Sequence, residues 1–408
     1  MKILLLSPFL PSPPRFGGQR RIDGLARELA QRHEVSVLAL NRPDEWMDSS
    51  LEVTRSYCRE VVSLPERDFE ERDKRVLQLK SLGSLHSFEH VVKAKRADFQ
   101  RELDRMLEEH SYDVVQYEFV HMAPFGFDKR RFPRTVFVLD EHNIEYDVLK
   151  RTAEARTNLP RRVYNALNWR KLEREERASW RRFDGILATS ERDATFIRRD
   201  LPSARVLVAP NGVDVREFTP VTGGEEPETL LFFGAINYFP NQDGVVYFID
   251  HVFPLIRARR PNARFVVVGP GANEQVLARQ GNGVEILGMV ESVAPYIDRA
   301  SAVVVPLRIG GGTRLKIVEA LAKGKPVVST RLGAEGIEVV DGQHLLLADE
   351  PADFAAAVER LFTEPGLGAR LGAGARRLAE ERYSWTHVVS GLERFFTELV
   401  AARPSRAS

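Results

Sequence analysis

The 408-residue chain has a single cysteine, Cys58, so no disulfide can form within it and nothing in it calls for an oxidising compartment. Neither sign of charge is in excess. Lys and Arg total 59 against 58 Asp and Glu, which removes the global basic footprint of a nucleic-acid binder. No apolar run approaches the ~18–20 residues of a membrane span. No secretory signal opens the chain either, because Met1–Leu6 reads as a short strand cut off by Pro8, Pro11, Pro13 and Pro14. A cytoplasmic location is expected. Asp-x-Asp occurs nowhere, and no repeat of 20–50 residues is visible.

What is present is a strand–loop–helix pattern on a scale too large for one core, so two domains of about 200 residues are expected. The most informative stretch is Val303-Val304-Val305-Pro306-Leu307-Arg308-Ile309-Gly310-Gly311-Gly312-Thr313-Arg314-Leu315-Lys316-Ile317-Val318-Glu319. Its β-branched start predicts a buried parallel strand. Thr313 reads as an N-cap for a helix from Arg314 to Lys323, and Gly324 as its stop before a strand at Val327-Val328. A glycine turn into a helix N-terminus presents free N–H groups and a positive dipole end, which suits phosphate. Arg314 and Lys316 are expected to add mobile cations, and Glu319 a carboxylate able to accept from sugar hydroxyls.

Lys2–Ser7, the proline loop ending at Gly17-Gly18, a helix Arg20–Arg32 and a strand Glu34–Leu40 predict the opening of a doubly wound α/β domain. The glycine pair lacks a full G-x-G-x-x-G. It fits either a ligand's approach or a plain turn. Residues 66–110 read as helical and charged, with a basic section at Lys80, Lys93, Lys95, Arg96 and Arg101. Strands follow at Asp113–Tyr117 and Thr135–Leu139. The second runs out into Asp140-Glu141-His142, where open α/β sheets bind ligands. His142 is therefore a site candidate, with an ordinary loop histidine as the alternative.

Residues 150–182 read as a helical segment with 11 cations against Glu154, Glu173, Glu175 and Glu176, or 11 − 4 = +7. With Trp169 and Trp180 this suits anionic lipid or a polyanionic acceptor, and equally a solvated face. Ser190 is expected to cap a helix Glu191–Arg199, and a strand Arg205–Ala209 ends in Pro210-Asn211-Gly212-Val213-Asp214. The pattern then restarts: strands Thr229–Phe233 and Arg264–Val268, a loop Gly234–Gly244, a helix Val245–Arg259, and Gly269-Pro270-Gly271. The expected divisions are residues 1–212, residues 213–383, a helix 384–400 packing back on the first domain, and a disordered tail 401–408.

Two such domains, with Ser190-Glu191, Pro210-Asn211-Gly212-Val213-Asp214, Gly234, Gly269-Pro270-Gly271, Glu319-Ala320-Leu321-Ala322, Gly324-Lys325-Pro326 and a last Tyr383-Ser384-Trp385 helix, resemble the GT-B glycosyltransferases, and within them the retaining group 1 or GT4 family. The resemblance implies two Rossmann-like domains facing across a cleft. It implies a nucleotide-diphosphate sugar donor held by the second and a glycan, lipid-linked or small-molecule acceptor held by the first. Donor contacts are carried to Gly234, Asn237, Gly269, Val290, Gly311, Gly312, Thr313 and Glu319, the last on the ribose. Gly17 and Gly18 fall on the acceptor side, and His142 matches the histidine that contacts the transferred sugar.

Two features depart from the family pattern. The first of two glutamates eight positions apart falls at Gly311, and the Arg-then-Lys pair after the first glycine loop is replaced by the run from Ala235 to Gly244. Arg314 and Lys316, with Arg308, are expected to take over the cationic role, and Asp243 to repel phosphate if it faced the donor. Transfer with retention and without metal or other cofactor is implied, with the leaving diphosphate met by helix dipole, amides and cations. The expected partners are a nucleotide sugar, an acceptor and an anionic inner membrane face, and no nucleic acid. A sugar-nucleotide 2-epimerase and a non-catalytic subunit of the same fold remain as alternatives.

Overall fold

The computed structural model describes residues 1–41, 47–66, 71–93, 96–155, 159–221 and 223–403. Lys95, Arg156 and residues 404–408 lie outside the described residues, as do the side chains of Lys93 and Arg161. The chain forms two compact units, Met1–Pro210 with Val388–Ser408, and Asn211–His387.

The first unit is built on seven strands: β1 (Lys2–Ser7), β2 (Glu34–Asn41), β3 (Glu60–Pro65), β4 (Val114–Glu118), β5 (Val136–Glu141), β6 (Gly185–Ala188) and β7 (Val206–Val208). They lie in the order β3-β2-β1-β4-β5-β6-β7, and every pairing is parallel. A sheet covered by helices on both faces buries consecutive residues, so Ile3–Leu6 and Val37–Leu40 are continuous apolar runs with no accessible surface. The order reverses between β1 and β4, whose register sets Leu4 beside Val115. Open α/β sheets bind ligands at the carboxyl ends of the strands beside such a reversal.

Several elements differ from the sequence expectation. The first helix starts at Gly17, three residues before Arg20. β5 does not end at Leu139 but continues through Asp140 and Glu141, both fully buried. The helix Met47–Arg55 and edge strand β3 were not separated in the sequence, because an outer strand with Glu60 and Ser63 lacks a continuous apolar run. The basic segment is two helices, Glu145–Ala155 and Leu159–Trp180. Ser190 does cap the helix Glu191–Asp200, its hydroxyl accepting from Asp193 N–H.

The second unit carries β8 (Thr229–Phe233), β9 (Arg264–Val268), β10 (Val284–Leu287), β11 (Ala302–Val305), β12 (Val327–Ser329) and β13 (Leu346–Leu347). They are parallel in the order β10-β9-β8-β11-β12-β13, which reverses between β8 and β11. Both glycine features lie just past these two strands: Gly234 after β8, and the 310–312 turn after β11. The expected loop 234–244 is shorter than anticipated, because a helix begins at Phe239 with Pro240 in its first turn.

The chain passes between units at Pro210, two residues before the expected boundary. Val213 bridges Ser384 in parallel, Val213 N–H donates to the Tyr383 carbonyl, and Gly212 has no room for a Cβ against the Trp385 ring. Residues 384–387 therefore belong with the second unit. The helix Trp385–Ala401 continues into the first, where Glu393 meets Arg32 and His33, each at 2.8 Å, and Phe395 and Leu399 pack on Gly185. The start of the tail is ordered. Helix reaches Ala401, and Arg403 donates to the Thr135 carbonyl and pairs with Asp184.

Candidate functional site

In the second unit the backbone after β8 and β9 is drawn very close. Gly234 N–H donates to the Val268 carbonyl at 2.9 Å, and a Cβ on Gly269 would collide with the Gly234 carbonyl. With φ of 146° and 137°, Gly269 and Gly234 hold conformations open in practice only to glycine. A Cβ on Gly234 would also come within 3.1 Å of Lys316 Nζ. The backbone is thus stripped of side chains where Lys316 arrives from the helix after β11.

That helix spans Leu315–Ala322, and its N-cap is Arg314, not Thr313. Thr313 Oγ1 instead accepts from Asn211 Nδ2 at 2.7 Å, so its hydroxyl is taken by a residue 102 positions away. Every residue from Lys316 to Ala322 is buried. Lys316 is therefore no mobile cation. Its Nζ donates to Asn241 Oδ1 at 2.8 Å and lies 3.8 Å from the centroid of the Phe232 ring. Burial drives its pKa well below the ordinary lysine value, the neighbouring Arg314 adds to the effect, and Glu319 opposes it. Asn241 is held by its own amide, which donates to the Ala235 carbonyl at 2.8 Å.

Arg314 is half-buried and donates to the carbonyls of Gly311 and Gly312, pinning the glycine turn from behind. Arg308 does not join it. Its guanidinium is bidentate with Asp243, at 3.1 and 2.8 Å, and stacks over Tyr247. That pairing also neutralises Asp243, which the sequence suggested would repel phosphate. Glu319 is 4% exposed on the same helix as Lys316. Asn237 is exposed beside Gly271, and Val290 packs on the core. Gly234, Gly269, Lys316 and Asn241 are brought together directly, and Gly311, Gly312, Thr313 and Arg314 form the turn that leads to them.

In the first unit a buried charged network lies at the carboxyl ends of β4 and β5. Arg21, 1% exposed, grips Asp140 with Nε at 2.9 Å and Nη2 at 2.8 Å, and donates to the Ala209 and Pro210 carbonyls. His142 Nε2 lies 2.8 Å from Glu118 Oε2, and Gln116 donates to the other Glu118 oxygen at 2.7 Å. Phe119 stacks on the imidazole with centroids 3.6 Å apart and holds φ at 67°, a strained conformation that aims its ring there. Burial pushes the Glu118 carboxyl up to about 7 and the His142 imidazolium down to about 3. Glu118, Asp140 and His142 present converging ligand atoms. The guanidinium of Arg21 already holds both Asp140 oxygens, so the cluster suits a fixed neutral histidine better than a metal ion. Gly17 and Gly18 open the helix behind it, and a Cβ on Gly18 would press within 2.9 Å of Phe119.

Asn241, Glu118 and Arg21 carried no role in the sequence reading. Glu118 ends a strand at the switch point, a position that could have singled it out. Arg21 had no local signal, since one arginine among helical charges looks like any other.

The profile described as "Glycosyl transferases group 1" matches residues 227–364, and "Glycosyltransferase Family 4" matches residues 17–217. A D-inositol 3-phosphate glycosyltransferase of Salinispora arenicola is 31% identical over 257 residues, 55% of this chain and 57% of that protein. A phosphatidyl-myo-inositol mannosyltransferase of Mycobacterium leprae is 32% identical over 209 residues, 48% of this chain and 54% of that one. The chain spans about half the length of the curated relatives it matches. In fold it is similar to a sucrose-phosphate synthase from Thermosynechococcus elongatus, with TM-score 0.72, 17% identity, and 98% and 100% of the two chains covered. It is likewise similar to Anabaena HepE in complex with UDP, with TM-score 0.68, 17% identity, and 98% and 100% covered. Matches on both halves, joined to two doubly wound parallel sheets, place the chain in the group 1 or GT4 family of GT-B glycosyltransferases.

Proposed function

We propose that this protein is a retaining glycosyltransferase that moves a sugar from a nucleotide-diphosphate sugar to an acceptor, with no metal in the transfer step. The observation that carries the reading is the meeting of Lys316 with the side-chain-free backbone of Gly234 and Gly269 at the β8/β11 switch point. A diphosphate can approach such backbone closely, and the buried ammonium answers its charge where water is scarce. Glu319, one turn beyond Lys316, is assigned to the ribose. His142, presented by Glu118 and Phe119, is assigned to the transferred sugar. Front-face attack, with a phosphate oxygen taking the acceptor proton, needs no covalent nucleophile. Melting the protein against UDP-, GDP- and ADP-sugars should reveal one stabilising donor class. Glu319→Gln should keep the fold and lower kcat/KM for that donor at least ~10-fold. Unchanged kinetics in the folded variant would remove Glu319 from the site, and no response to any nucleotide would overturn the reading.

The acceptor is assigned to an anionic, lipid-linked class. Relatives named for phosphorylated inositol and for phosphatidylinositol agree with this. So does a surface feature of the first unit. The helix Glu71–Leu82, the turn after it and the helix Leu159–Trp180 expose Val76, Leu79, Leu82, Leu85, Val163 and Leu167, with Leu79 68% and Leu85 75% exposed. Arg162 and Arg170 flank these side chains, and Arg170 and Lys150 lie over the Trp169 ring. The segment is not the uniform cationic face its +7 suggested. Lys171 and Arg174 donate to carbonyls at 81, 82 and 85, and Glu176 is fully buried, accepting from the N–H groups of Glu145 and Tyr146. Exposed apolar side chains on these two helices, with arginines close to them in sequence, suit an anionic bilayer surface. Replacing Leu79 and Leu85 with Ser and Arg162 and Arg170 with Glu should abolish sedimentation with anionic vesicles while nucleotide binding persists. Wild-type protein left in the supernatant at low salt would end this assignment. No described helix is long and apolar enough to cross a membrane.

A further inference from the structure

The helix Leu159–Trp180 holds the excursion between residues 81 and 93 through one face. Lys171 and Arg174 reach its carbonyls, Asn168 Oδ1 accepts from Phe88 N–H at 2.9 Å, and Glu175 Oε1 accepts from Ser87 N–H at 3.0 Å. The same Glu175 oxygen lies 3.0 Å from His86 Nδ1 and 3.9 Å from His90 Nδ1. The two imidazoles, His86 just before the helix Phe88–Lys93 and His90 within it, are stacked with centroids 4.2 Å apart and planes 11° from parallel. One ring nitrogen from each histidine and a Glu175 oxygen all fall within 4.8 Å of one another. They stand at one side of a 330 Å³ cavity that Glu89 and His121 also line.

We infer that His86, His90 and Glu175 form a binding site for one divalent transition-metal ion of the zinc type. Nitrogen and oxygen ligands about 2.0–2.2 Å from a tetrahedral ion stand about 3.3–3.5 Å from each other, and the two distances from Glu175 Oε1 to histidine nitrogens, 3.0 and 3.9 Å, bracket that spacing. Two imidazoles and one carboxylate select zinc, cobalt or nickel over magnesium and calcium, which favour all-oxygen shells. The rings are 11° from parallel and an imidazole lone pair lies in its ring plane, so the exposed His86 ring turns about its Cβ–Cγ bond to bring both histidines onto one ion. The nearby guanidiniums of Arg174 and Arg182 are turned to the Leu85 and Ala123 carbonyls and leave the ligand atoms clear. Glu89 or water completes the shell. Bound there, the ion clamps the 83–93 excursion, and with it the exposed Leu85, to the long helix.

The full-length protein titrated with zinc against a competing chelator tests this. One ion per chain should bind. Affinity should fall well over ~10-fold, the lower range for losing even a supporting partner, in His86→Ala/His90→Ala and in Glu175→Gln. Glutamine at 175 still accepts from Ser87 N–H, so that variant separates loss of the ligand from loss of the helix cap. His110→Ala, on a separate Glu60 contact, should change nothing. Cobalt in the wild-type protein should give ligand-field bands without a thiolate charge-transfer band, and zinc should slow amide exchange across 83–93. Absence of stoichiometric binding, unchanged affinity in the double variant, or a thiolate band placing the ion at Cys58 would each overturn the site.

Discussion

Replacing Lys316 with methionine should lower kcat by roughly 10²-fold, the scale for losing one donor to a developing anion, while the apparent melting temperature holds or rises. The two effects part because the lysine is costly to bury. Its ammonium has one neutral hydrogen-bond partner, Asn241, and an aromatic face, Phe232, and burial pushes its pKa well below 10.5. Methionine matches its length without the charge. Asn241 Oδ1 then loses a partner, a cost of about 1 kcal/mol that relief of the buried charge offsets.

The pH dependence carries a sign. Between the depressed folded pKa and the unfolded value near 10.5, the unfolded chain holds the additional proton, so Lys316 makes stability rise with pH across that window. Methionine should flatten the rise. A diphosphate beside Nζ favours the charged form, so donor binding should take up a proton and weaken as pH rises through the same window. Steady-state rates, melting curves and calorimetry in two buffers of different ionisation enthalpy measure all three. A variant that melts lower and turns over normally would make Lys316 a structural residue.

The frame of both units was legible because parallel strands buried on two faces leave uninterrupted apolar runs, as at Leu4–Leu6 and Val303–Val305. The glycine turn after β11 was legible for a related reason, since few other uses explain three glycines between such a strand and a helix. The burial of Lys316 was not. Two residues after Arg314, at a helix start, it looks like an exposed first-turn cation. Only the packing of the short 315–322 helix on all sides denies it a solvent face. Thr313 and Asp243 misled for one cause: their partners, Asn211 and Arg308, lie 102 and 65 positions away, and local spacing carries no trace of them. Glu176 failed likewise. It counted as one more helix-surface anion, yet it caps the preceding helix from within the core.

His142→Ala should depress kcat by roughly 10²-fold while UDP or GDP affinity stays nearly level, because the imidazole is assigned to the sugar and not to the nucleotide. The geometry around it adds a second expectation. Ionised Glu118 accepts from Nε2–H, which leaves the Nδ1 lone pair to accept a sugar hydroxyl. Protonated Glu118 donates to Nε2 instead and turns Nδ1 into an N–H donor. Burial sets Glu118 at about 7, with Arg21 and Gln116 opposing that rise. Asp140 favours the charged imidazole, while Arg21 and His121 oppose it, and burial outweighs them all, so the histidine stays neutral and only its tautomer changes. The wild-type rate should therefore climb as pH rises through about 7 and level off above. Glu118→Gln cannot ionise, so the variant's rate should lose that inflection while donor affinity is kept. Rate profiles of wild type and variant between pH 5.5 and 8.5 (about one and a half units either side of the Glu118 value) make the comparison. An inflection that survives unchanged in Glu118→Gln belongs to another group. Equal loss of nucleotide binding in His142→Ala would move the histidine from the sugar to the nucleotide.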